Sequence, residues 1–81
     1  MNIEKMQLKG QLADARKKFK SLDTEASGLI ILIRSLLNPY EEDLTKLELD
    51  KTAQAVARLN SLALQMKVLK PKIQQMEEDL E

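Results

Sequence analysis

Apolar residues recur through the first half of the chain at alternating steps of four and three. Leu8, Leu12, Ala15, Phe19, Leu22, Ala26, Leu29, Ile33 and Leu36 form one unbroken stripe over four heptads. That spacing lays a single apolar seam along an α-helix and is the a/d repeat of a coiled coil, with Leu8 at d and Leu12 at a. The positions between are mostly charged or polar up to Gly28. A second stripe follows the same rule: Ala55, Leu59, Leu62, Met66, Leu69, Ile73, Met76 and Leu80, with Thr52 as a poorer step at its start. The pattern predicts one helix over about 3–37 and another over about 50–80. Pro71 falls inside the second stripe at an outward f position. It removes the hydrogen bond to the Lys67 carbonyl and crowds it, so a kink is expected. The stripe continues through Ile73, Met76 and Leu80, so the helix is not expected to end there.

Between the stripes lies a connector, 38–49. Asn38 suits an N-cap, Pro39 the first helical position and Glu41 the capping-box site, which predicts a short helical turn over about 39–46. Leu44, Leu47 and Leu49 are expected to fold back over the closed end of a hairpin, and Asp50 to cap the second helix. Just before the connector, Leu29 to Leu37 holds seven large aliphatic side chains in nine residues. Leu29, Ile33 and Leu36 belong to the seam. Ile30, Leu32 and Leu37 occupy the flanking e and g positions, where they would help cover the connector. Only Ile31, at f, points away.

Two stripes of equal length predict an all-α, antiparallel two-helix coiled-coil hairpin. Two registers compete. With full overlap, Leu8 meets Leu80, Ala15 meets Ile73, Ala26 meets Leu62, Ile33 meets Ala55 and Leu36 meets Thr52. Alanine then faces a large residue in three layers, which suits packing. The flanking charges fit less well: Arg16 meets Lys70 and Lys18 meets Lys72, with only Lys9 and Glu77 attracting. A slide of one heptad pairs Arg16 with Glu77, Lys18 with Asp79, Asp23 with Lys70 and Glu25 with Lys72. It also leaves Leu8 and Leu12 without intramolecular partners. Exposed ion pairs contribute about 0.2–1 kcal/mol each, a buried leucine about 1.5–3 kcal/mol. The balance leans towards full overlap unless a second chain covers the stranded leucines.

A further apolar set lies off the seam: Ala53, Ala57, Leu64 and Val68 on the second helix, and Ile31 beside Ser27 and Gly28 on the first. A glycine inside a helix costs about 1 kcal/mol against alanine, and close approach of another helix is one reason to keep it. These positions predict that two hairpins pair into a four-helix bundle. Ile31, Ala57, Leu64 and Val68 are the expected contacts of a homo-oligomer, a dimer in the first instance.

Composition narrows the function. The 81 residues include no Cys, His or Trp, and only Phe19 and Tyr40 are aromatic. Disulfides and the usual zinc ligands are therefore excluded. Oligomerisation is the support left to so small a domain. Acids and bases balance at thirteen each, which argues against a strongly basic nucleic-acid binder. The first ten residues lack the apolar run of a secretory signal. The longest apolar run is broken by Arg34, far short of the ~20 residues a membrane span needs. A cytoplasmic location and no membrane contact are expected.

No catalytic constellation is present. Ser21, Ser27, Ser35 and Ser61 have no recognisable motif around them, no glycine-rich phosphate loop occurs, and no seam position is acidic, as a carboxylate metal site in a bundle would require. No enzyme activity, cofactor or metal is expected. The segment Ala15 to Lys20, "ARKKFK", makes the first part of helix 1 basic together with Lys5 and Lys9. Lys5, Lys9, Arg16, Lys17, Lys18 and Lys20 could contact phosphates. Phe19 is a seam residue and not a stacking aromatic, however, and the acidic tail "EEDLE" lies beside this segment in either register and would neutralise it.

The segment "GLIILIRSLLNPYEEDLTKLELDK" resembles small helical proteins encoded in the early regions of Mu-like prophages. Members of that group share a long basic first helix, a connector like LIRxLLNPxEEDLT and an acidic, leucine-rich C-terminal helix. The resemblance covers most of the chain and is most distinctive from Leu32 to Thr45. It implies a phage or prophage origin and the host bacterial cytoplasm, with no activity and no functional residue. The reading that follows is a non-enzymatic helical interaction protein, an accessory factor binding a host or phage protein. A nucleic-acid-associated role through the basic first helix is the alternative.

Overall fold

A computed structural model describes residues 3–81. Helix α1 spans Ile3–Leu36 and helix α2 spans Leu49–Leu80, with one 3₁₀ turn, Leu44–Lys46, between them. The described residues contain no strand. The helices lie against each other as a rod of 66 × 15 × 14 Å with a radius of gyration of 18.5 Å.

The core follows the 3-4 stripes. Every seam position named above, on both helices, is buried or half-buried. Leu12, Ala15 and Ile73 form a buried cluster, flanked by Phe19, Leu69, Met76 and Leu80. Ala26 and Leu62 are both buried further along, and Leu62 is wholly enclosed. Leu8 shares a groove with Leu80. These neighbours fix the full-overlap register, because the slid one would put Leu22 and not Ala15 against Ile73. Burial of leucines at the open end outweighs the charge pairs a slide would supply.

The slide proves unnecessary for the charges as well. Arg16 and Glu77 form an ion pair at 3.7 Å without it. Each Cα–Cβ bond tilts towards the N-terminus of its own helix. In an antiparallel pair that tilt carries Arg16 and Glu77 towards each other across about one and a half turns. Glu25 and Arg58 form the second inter-helix pair.

The connector departs from expectation in its caps. α1 runs on to a final hydrogen bond from the Leu37 amide to the Ile33 carbonyl, 2.9 Å, and stops where the residue before Pro39 is steered away from helical backbone. Asn38 then caps a turn and not a helix. Its Oδ1 accepts from the Tyr40 amide at 3.1 Å, and its carbonyl from the Glu41 amide at 3.2 Å. Proline at the second position of a turn is as well suited as at the first of a helix. Glu41 accepts from the Asp43 amide, 3.1 Å, and does not close a capping box. Asp43 caps the 3₁₀ turn, accepting from the Thr45 amide at 3.0 Å and the Thr45 hydroxyl at 2.7 Å. The N-cap of α2 is Glu48, and Asp50 lies inside the first turn, where a carboxylate complements the positive end of the helix. The Glu48 carbonyl accepts from both the amide and the hydroxyl of Thr52, which satisfies the one polar side chain of the seam.

Of the three connector leucines only Leu47 is half-buried; Leu44 and Leu49 are exposed. Ile30, Leu32 and Leu37 are also exposed. So short a connector cannot lay three leucines across the end of two helices, and the widened apolar stripe stays open to solvent. Pro71 is exposed within α2, which is helical from Leu49 to Leu80.

Candidate functional site

An antiparallel hairpin has two broad faces. The e positions of both helices flank the seam on one face, and the g positions flank it on the other. The grooves follow this division. Arg16, Lys70 and Glu77, all e residues, line one groove with Phe19 and Ile73. Lys18, Gln65 and Lys72, all g residues, line another with Leu64 and Val68.

The two faces differ at the closed end. On the g face, Glu25 is gripped by Arg58 and Lys51 pairs with Glu48 at 3.2 Å, so charge surrounds Leu32. On the e face the corresponding positions are Ile30 and Leu37 from α1 and Leu49 and Val56 from α2. These are 40%, 44%, 53% and 47% exposed. Ala53, one turn from Leu49 and Val56, and Ala63, half-buried, extend the same strip. Along this face from Leu49 to Ala63 the α2 row is small or apolar except for Asn60, and on α1 the e position level with Ala63 is the exposed Asp23.

Ile31, Ala57, Leu64 and Val68 are all exposed, as an interface would need. The structure does not gather them into one patch. Ile31 and Ala57 sit at f positions on the outer edges of opposite helices, while Leu64 and Val68 line the g-face groove between Lys18 and Lys72. The sequence pattern assigns Ile30 and Leu37 to covering the connector and Leu49 to folding over the closed end, and gives Val56 no role. The signal for the strip was a second 3-4 stripe on α2, Leu49, Ala53, Val56, Asn60 and Ala63, which shares the spacing of the main seam.

The basic residues of α1 also spread out. Lys9 and Arg16 face the groove that holds Glu77 and Glu81. Lys5 lies beside Asp79 and Glu81. Lys20 lines the e-face groove with Arg16 and Lys70, Lys18 lines the g-face groove, and Lys17 falls at an outer f position. The acidic tail thus meets Lys5, Lys9 and Arg16, and no single face collects all six.

Two carboxylates are perturbed. Hydrogen bonds from Arg58 hold the Glu25 carboxyl below its ordinary value, and the same contact raises the Arg58 guanidinium. Thr45, through its hydroxyl and then its amide, lowers Asp43. Both are structural roles, an ion pair and a turn cap. Among the described residues no cluster of acids is placed to hold a metal ion, and no helix is long and apolar enough to cross a membrane. Comparison of the chain with protein-family models, curated proteins and solved structures finds no match.

Proposed function

We propose that this chain is a non-enzymatic helical interaction protein of the bacterial cytoplasm, encoded by a prophage, that works as a homodimer. Two hairpins pack into a four-helix bundle, and the assembled bundle binds a host or phage protein. The observation that carries the self-association is the set of large apolar side chains exposed together at the closed end, Ile30, Leu37, Leu49 and Val56. The hairpin exposes 6582 Å², whereas a folded monomer of its mass exposes about 4,900 Å². The difference is the surface of a rod two helices thick, which has no second layer to cover its apolar side chains. The exposed isoleucines, leucines and valine of the closed end make up part of it. The phage assignment rests on the resemblance of Leu32 to Thr45.

Sedimentation equilibrium across a wide concentration range tests the dimer. A two-chain mass is expected, together with a melting temperature that rises with concentration, because folding and association are linked. A one-chain mass throughout, with a concentration-independent melt, would overturn the proposal.

A further inference from the structure

We infer that the second copy docks on the e face of the closed half, over Ile30, Leu37, Leu49 and Val56, with the two hairpins pointing in opposite directions. This rests on the self-association proposed above and specifies its geometry.

Three observations select the face. It is the side of the closed half where both helices present apolar residues at the same level. Its α2 row, Leu49, Ala53, Val56, Asn60 and Ala63, carries small residues at Ala53 and Ala63, and small residues let a second backbone come near. The opposite face carries the Glu25–Arg58 and Lys51–Glu48 pairs, which docking would have to strip of water.

Charge selects the direction. Beyond Ala63 the same e face turns basic: Arg16, Lys20 and Lys70 line one groove against the single acid Glu77. Two hairpins stacked with their closed ends together would superpose these basic grooves, and like charges in register oppose docking. Reversing one hairpin about a two-fold axis near Val56 overlaps the apolar halves, with the e-position Asp23 at the inner limit of the overlap, level with Ala63. Val56 then faces Val56 of the second copy, Leu49 faces Ala63, and the basic grooves lie at opposite ends. An overlap ~30 Å long and two helices wide covers about 800 Å² per partner, the size of a standard interface. It leaves the basic grooves of the open halves free for another partner.

The chain has no cysteine, so single thiols report the geometry directly. Val56→Cys, oxidised with glutathione disulfide, is expected to convert nearly completely to a covalent dimer, while Leu64→Cys on the other face stays unlinked. Small-angle scattering should give a maximum dimension of roughly 100 Å for the staggered pair, from two 66 Å rods overlapping by ~30 Å. Linking through Leu64→Cys and not Val56→Cys would overturn the face but leave self-association standing. A mixture of Ile30→Cys and Val56→Cys chains that links, with Val56→Cys alone unlinked and a maximum dimension near 70 Å, would overturn the direction. A single-chain mass with no linking would overturn the docking and the proposed dimer together. Circular dichroism of each variant establishes that the helices are retained.

Discussion

Arg58 holds Glu25 by both edges of its fork: Nε donates to one carboxylate oxygen at 2.6 Å and Nη2 to the other at 3.0 Å. The two residues come from different helices, at g positions on the same face, so this contact reports the register directly. Its loss should be visible in pH. The Glu25 carboxyl is lowered in the folded chain, first by its hydrogen bonds to Arg58. The folded state therefore holds this proton less tightly than the unfolded one. The pair's stabilisation is complete above the ordinary glutamate range and is lost as pH falls through the lowered folded value. Urea titrations from pH 7 to pH 2 should show Glu25→Gln modestly less stable at neutral pH and equal to the parent at the acid end. High salt should shrink the neutral-pH difference.

Among the described residues Leu62 is the one large side chain with no exposed surface, and it faces Ala26, which cannot fill a void. Leu62→Ala should therefore cost about 2–5 kcal/mol. Leu59→Ala, at a half-buried seam position, should cost less. Denaturant midpoints at constant protein concentration decide this, and equal losses at the two sites would contradict the burial order.

Gly28 has open space where a Cβ would stand, and its c position lies away from the e face. Gly28→Ala should stabilise the protein by about 1 kcal/mol, the helix-propensity difference. A destabilised Gly28→Ala dimer would mean that another helix approaches there, as the sequence first suggests.

Pro71 is exposed in the interior of α2, at an f position off the seam. Replacing it with alanine restores an amide donor for the Lys67 carbonyl and removes the ring clash. Pro71→Ala should raise stability by about 1–3 kcal/mol. Thermal unfolding followed by circular dichroism at matched concentrations would detect it, and a lowered midpoint would give the proline a structural role.

The sequence by itself determined the two helices, their antiparallel pairing and the identity of every seam residue. A 3-4 repeat is a statement about one helix, and the side-chain directions it specifies survive any choice of partner. It could not settle the register. One-heptad slides preserve the repeat, and the choice rests on which layers meet, Ala15 with Ile73 and Leu8 with Leu80, a property of two helices in place. Nor could it decide the connector caps, where Asn38 and Glu41 have turn partners as good as their helix partners. The surface set Ile31, Ala57, Leu64 and Val68 was legible only as exposed. Which apolar residues of different helices share a face emerges once the hairpin closes, because closing brings Ile30 and Leu37 level with Val56 and Leu49 and leaves Glu25 and Arg58 to fill the opposite side with charge.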